Sequence, residues 1–206
     1  MKALLFCISV GVATAVSAQE LNKHKLPIVQ SDLSYVESVD VKVDAIELNK
    51  SQLSCYEMWT NENGEKVLVK ASLTPALTEA EEIDGRKLEH EGETLTAKGN
   101  ERQLYYFLDQ SLYLIEITSW DPVENAVFKR DYIYFDNGNI IMYDQYKESV
   151  DYWASNDDNH PKASVTERAY YFEGGTPVNL PDTEIDMDIM ALENISYLGN
   201  VRRVEP

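Results

Sequence analysis

Three histidines and two cysteines limit the catalytic chemistry that this chain of 206 residues could perform. His24 lies in a polar N-terminal stretch, His90 in a charged segment and His160 next to a proline. The sequence has no His-Glu-x-x-His, Cys-x-x-Cys or Gly-x-Ser-x-Gly motif and no glycine-rich phosphate loop. Those patterns position metals, nucleophiles and phosphates in common enzyme classes. The sequence therefore favours a non-catalytic protein.

Cys55 is the other residue that could carry chemistry. Paired in space with His90 or His160, it would be a thiol nucleophile, whereas alone it would behave as a small buried apolar residue. We favour burial, with a disulfide between two chains as the alternative. Cys7 falls within a predicted leader, so the mature chain is expected to form no internal disulfide.

Acidic residues dominate the charge of the chain. Asp and Glu total 36 against 18 Lys and Arg, a formal net charge of −18. Such a surface repels phosphate, so nucleic acid is excluded as a partner. Paired carboxylates keep an acid/base hydrolase open as an alternative function. The weak metal candidates, Asp157 and Asp158, lack the ligand alternation of a calcium loop, so we interpret them as a solvated loop and expect no metal and no cofactor.

Tyrosine is the residue type with the clearest pattern. A three-residue segment with a central tyrosine and a final phenylalanine, here called an aromatic phrase, recurs three times, at 105–107, 133–135 and 170–172. Each copy is followed by a turn-forming stretch, which is typical of β-hairpins arranged in an antiparallel sheet. The predicted binding residues are five tyrosines of these segments: Tyr106, Tyr134, Tyr171, Tyr132 and Tyr143.

Two interpretations of the tyrosines remain open at this point. Both faces of the sheet could be covered, or Tyr106, Tyr134 and Tyr171 could form a partly exposed ladder. An exposed ladder would combine contact area with polar tips, which suits recognition of a protein, peptide or glycan. In that case Tyr134→Ala should destabilise the protein less than Phe135→Ala.

The hairpin turns predict how the strands pair. Asn137-Gly138 is a strong two-residue turn signal, and it places Phe135 opposite Ile140 and Tyr134 opposite Ile141. Simple alternation then puts Tyr143 on the same face as Tyr134. Asp109-Gln110 would turn the preceding hairpin in the same way.

Further elements complete a predicted α+β fold. Alternating residues at 39–45 predict a half-buried strand, and Asn63-Gly64 predicts another hairpin. Helical patterns begin at Thr74-Pro75 and at Pro181 and end near Gly85 and Gly199. The expected architecture is an antiparallel β-meander of roughly five to eight hairpin strands with two or three helices packed on the sheet.

The chain is expected to be exported. Lys2, an apolar stretch and Val16-Ser17-Ala18 predict a signal peptide over residues 1–18. A flexible arm is expected at 19–34 and a single domain at 35–206, with no membrane span in the mature chain.

These observations predict a secreted or periplasmic accessory protein without catalytic activity. Its contact surface would lie on the aromatic sheet face, and its partner would be an unknown protein, peptide or glycan of the cell envelope. The alternatives are a hydrolase with paired carboxylates and a purely structural envelope protein.

Overall fold

One large antiparallel sheet dominates the computed structural model, which describes residues 33–71, 85–120, 127–151, 162–178 and 201–205. A helix, α1 (Leu33–Asn49), and one 3-10 turn, Lys50–Gln52, precede the first strand. The strands are β1 (Ser54–Asn61), β2 (Lys66–Lys70), β3 (Arg86–His90), β4 (Glu93–Ala97), β5 (Glu101–Leu108), β6 (Ser111–Trp120), β7 (Val127–Asp136), β8 (Asn139–Asp151), β9 (Lys162–Glu173), β10 (Thr176–Pro177) and β11 (Arg202–Val204).

The strands follow the order β10-β9-β8-β7-β6-β5-β1-β2-β11. β4 also pairs with β1, beyond the part of β1 that pairs with β5, and β3 pairs with β4. β11 runs parallel to β2, and the other neighbours are antiparallel. Sequential strands are thus mostly neighbours, as expected for hairpins joined in series.

The predicted α+β class is wrong. The protein is mostly sheet, and the part of the chain that the structure describes has a single α-helix rather than two or three. Two stretches account for much of the difference: the charged segment after Gly85 forms β3 and β4, and β7 to β9 extend well beyond the aromatic phrases. The helices predicted from Thr74 and from Pro181 lie outside the described residues.

The strand predicted at 39–45 is instead the middle of α1. Over a longer window, apolar residues recur every three or four positions, at Val36, Val39, Val43 and Ile46, and these pack against the sheet. Val41 belongs to the alternating pattern but is 69% exposed on the opposite side. Valine lowers intrinsic helix propensity, and the burial of this stripe outweighs that cost.

The Asn137-Gly138 turn is confirmed, with positive φ at both residues and Asp136 paired with Asn139. Phe135 pairs with Ile140 as predicted. Beyond that pair the register shifts by one residue through a β-bulge.

The bulge changes which side chains share a face. Tyr134 pairs with Met142 rather than with Ile141, and Ile133 pairs with Tyr143. A bulge adds one residue to one strand, so alternation is reversed beyond it. Tyr143 therefore lies on the face opposite to Tyr134, and its predicted position is wrong.

The preceding hairpin repeats this design. Asp109-Gln110 is the turn, because Leu108 pairs with Ser111 and Asp109 has a φ of 54°. The register then shifts between Phe107, which pairs with Leu112, and Tyr106, which pairs with Leu114. Tyr113 is the extra residue.

Both faces of the sheet carry a hydrophobic core. The core on the face covered by α1 contains Val36, Val39, Tyr106, Leu114, Tyr134, Ile141, Met142, Ala169 and Tyr171. The core on the opposite face contains Leu68, Tyr105, Phe107, Ile115, Ile133, Phe135, Tyr143, Tyr170 and Phe172. Of the two interpretations, the structure supports the one in which both faces of the sheet are covered.

Candidate functional site

The middle tyrosines of the three aromatic phrases lie in one row across the sheet. The pairing runs from Cys55 to Tyr106, Leu114, Tyr134, Met142 and Tyr171, one residue from each of six neighbouring strands. The prediction that these tyrosines share a face is therefore confirmed. Their side chains are only 9%, 5% and 0% exposed for Tyr106, Tyr134 and Tyr171, respectively, so they form no open ladder.

Helix α1 covers this row and runs across the strands. The Tyr171 hydroxyl on β9 donates to Asp40 Oδ1 at 2.8 Å, and the Tyr134 hydroxyl on β7 donates to Glu47 Oε1 at 2.9 Å. Seven residues of helix advance roughly 10.5 Å, and two strand spacings span roughly 9.6 Å. The rise of the helix over seven residues therefore matches the distance across two strand spacings, so Asp40 lies over Tyr171 and Glu47 lies over Tyr134.

The third tyrosine of the row has a carboxylate from the sheet. Tyr106 donates to Glu116 Oε2 at 2.6 Å, while Lys50 forms an ion pair with Glu116 and lies 4.9 Å from the Tyr106 ring centroid. Burial, followed by the hydrogen-bonded carboxylate, raises the pKa of Tyr106. The hydroxyl thus stays protonated as a donor, and its hydrogen bond joins β5 to β6.

The other two predicted binding tyrosines are also not exposed. Tyr132 is half-buried beside the same core. Tyr143 is buried on the opposite face, where it stacks on Tyr170 at 5.5 Å and donates to Asp131 Oδ1 at 3.1 Å. Four of the five tyrosines are therefore buried and Tyr132 is half-buried, so none of them presents an open contact surface.

Cys55 lies at the end of the tyrosine row, opposite Tyr106. Its side chain is half-buried. Burial raises the pKa of the thiol to about 11, and the Glu116 carboxylate contributes in the same direction. Because the thiolate is the nucleophilic form, this environment lowers the reactivity of Cys55 at neutral pH.

Alkylation of Cys55 in the folded mature chain should be far slower than in the unfolded chain. At neutral pH the thiolate population should be on the order of one hundredth of that of an unperturbed thiol, because each pKa unit is a factor of ten. Iodoacetamide labelling followed by mass spectrometry, with a urea-unfolded control, measures both rates. Equal rates would show that the thiol is not desolvated.

An apolar groove lies beside α1, above the turn-side ends of β5, β6 and β7. Its volume is about 380 Å³, within the range of roughly 300–1,000 Å³ that is typical of ligand pockets. Its lining comprises Ala45, Ile46, Leu53, Leu108, Tyr113 and Phe135, together with the polar residues Lys42, Asn49, Gln52 and Asp136.

Local features of the chain create this groove. Leu108 precedes the β5–β6 turn and is 47% exposed, so its side chain is accessible from solvent. Tyr113 is the bulge residue of β6. Ile46 belongs to the buried stripe of α1, and Leu53 follows the 3-10 turn that leads into β1.

Four polar side chains of the groove are already engaged. Lys42 forms an ion pair with Asp136. Asn49 donates from Nδ2 to the carbonyl of Ala45 at 2.8 Å and accepts at Oδ1 from Gln52 Nε2 at 3.1 Å. The groove therefore has an apolar floor with a rim of paired polar groups.

This groove was not predicted from the sequence. Its helix side depends on residues assigned to a strand, and its sheet side depends on a bulge. The signal that was present is the recurrence of apolar residues at Val36, Val39, Val43 and Ile46, which extends beyond the alternating stretch.

The remaining candidates contribute no site among the described residues. His90 lies in β3, whereas His24, His160, Asp157 and Asp158 fall outside the described ranges. No group of three or more His, Cys, Asp or Glu side chains in the described ranges is placed to hold a metal ion. In the same ranges no helix is sufficiently long and apolar to cross a membrane.

In the described part of the chain, the fold and the groove define a sheet protein with one covering helix and an apolar cleft at the edge of that helix. Comparisons with protein-family models, curated proteins and solved structures return no match for this chain.

Proposed function

We propose that the protein is an exported, non-catalytic binding protein that holds apolar side chains of a partner protein in the groove beside α1. The groove is the observation that carries this proposal, because it combines apolar lining with an accessible residue, Leu108. The predicted leader at 1–18 supports a periplasmic or secreted location.

The chemistry of the groove favours binding over catalysis. The amides of Asn49 and Gln52 do not titrate, and Lys42 and Asp136 neutralise each other. General acid/base catalysis needs a group that can exchange a proton near the operating pH. Apolar floors with a few fixed polar groups are typical of binding sites.

Apolar side chains fit this groove better than a glycan. Sugar hydroxyls need many hydrogen-bonding partners, and unpaired polar groups that are buried by a ligand reduce its affinity. Four of the lining residues, Ala45, Ile46, Leu53 and Leu108, can supply no side-chain hydrogen bond, and Tyr113 adds a single hydroxyl. The proposed contact surface therefore lies at the margin of the aromatic sheet face and takes a protein segment.

Leu108→Glu should weaken partner binding at least tenfold, because it places a charge at the mouth of an apolar groove. The probe is a phage-displayed library of random peptides, selected on the mature protein and followed by affinity measurement with synthetic copies. Leu48→Glu is the matched control: Leu48 also lies in this region of the fold and is 84% exposed, but it does not line the groove.

Circular dichroism of both variants must show unchanged folding. The proposal fails if selection returns no peptides, or if the selected peptides bind Leu108→Glu and the wild type equally well.

A further inference from the structure

The surroundings of the groove carry an excess of negative charge. Asp44 on α1 is exposed beside Ala45, and Asp109 is exposed in the turn after Leu108. Glu47, one helical turn away, is also exposed and bonded to Tyr134. Each of these carboxylates lies next to, or one turn from, a residue that lines the groove.

The nearby cations neutralise these carboxylates only in part. Lys42 is paired with Asp136, and Lys50 is paired with Glu116. Lys50 also lies 4.0 Å from Glu47, and Arg203 donates to the backbone carbonyl of Asp109 at 3.4 Å. These three cations are outnumbered by five carboxylates: Asp44, Glu47, Asp109, Glu116 and Asp136. The mouth of the groove is left with a net negative potential, which attracts a positively charged partner.

This charge distribution disfavours a second copy of the chain as the occupant. The whole chain has a formal net charge of −18, and the exposed side of α1 carries Glu37, Asp44 and Glu47. Docking two such surfaces would bring like charges together, which opposes association. A basic partner would gain from the same field.

We propose that the natural occupant is a segment of another protein in which a bulky apolar side chain is flanked by lysine or arginine. The apolar side chain fills the groove, and the basic side chains lie over Asp44 and Asp109. This inference rests on the proposed function and specifies the chemistry of the partner.

The sequences of the phage-selected peptides test the inference directly. We expect enrichment of an apolar residue together with neighbouring Lys or Arg, and weaker binding as the salt concentration rises, because salt screens exposed charges. Asp44→Asn and Asp109→Asn should each weaken binding about two- to fivefold at low salt. Asparagine tolerates the positive φ of residue 109, so that variant should fold normally.

Glu62→Gln is the control, because Glu62 is exposed in the loop between β1 and β2 and does not line the groove. Binding should be unchanged in this variant. One contrary result is a set of selected peptides that bind in a Leu108-dependent way, contain no basic residues and keep the same affinity at every salt concentration. That result would overturn the basic-partner inference and leave the groove function intact. The absence of any Leu108-dependent peptide would overturn the proposed function itself.

Discussion

Tyr134→Ala is expected to destabilise the protein as strongly as Phe135→Ala, by about 3–5 kcal/mol in each case. The two neighbouring residues point to opposite faces of β7, and they are 5% and 3% exposed, respectively. Tyr134 packs beneath α1, whereas Phe135 packs in the core of the other face. Truncation of either ring leaves a cavity in a close-packed core.

Urea unfolding of the two variants and the wild type measures both losses. Tyr134→Phe is the control, because it keeps the ring and removes the hydroxyl that donates to Glu47. Its cost should be about 0.5–1.5 kcal/mol, since the partly exposed carboxylate can bind water instead. A loss below about 1 kcal/mol for Tyr134→Ala would contradict the position of α1 over the tyrosine row.

Gly85→Ala should lower the free energy of unfolding by about 2–5 kcal/mol, a large effect for the addition of one methyl group. Gly85 has a φ of 79°, a conformation that costs an L-residue about 1–2 kcal/mol. A Cβ at this position would also overlap the carbonyl oxygen of Ala97 on β4. Forcing that backbone apart adds about 1–3 kcal/mol, as in other overpacked sites.

Gly138→Ala is a matched control for this prediction. Gly138 has the same φ of 79°, but a Cβ there would meet no atom within 4 Å. Thermal unfolding of the two variants separates the backbone cost from the steric cost. Equal losses of stability in the two variants would mean that the β3–β4 hairpin accommodates the added methyl group at no energetic cost.

The hairpins of this protein could be predicted because their signals are local. Asn137-Gly138 favours positive φ at two successive residues, and that preference determines the turn wherever the hairpin lies. The two-residue period of the aromatic phrases likewise places neighbouring residues of one strand on opposite faces. Both properties depend on residues that are close together in the chain.

The β-bulges and helix α1 could not be predicted from local sequence signals. Val39, Val41 and Val43 satisfy a strand pattern locally, and Val36, Val39 and Val43 satisfy a helix pattern over a longer window. The choice depends on whether a tyrosine-lined sheet face is available to bury one stripe. Similarly, each register shift depends on how a whole strand packs between its neighbours.

The sequence by itself determined the acidic charge, the Asn137-Gly138 turn and the alternation within each aromatic phrase. Only the tertiary structure decided that α1 covers this row and that the groove lies between Ile46, Leu108 and Tyr113. The reason is physical: turn preferences and alternation arise from the covalent chain over a few residues. A groove exists only where a helix from one part of the chain meets a sheet from another, and its energy is that of contacts between distant residues.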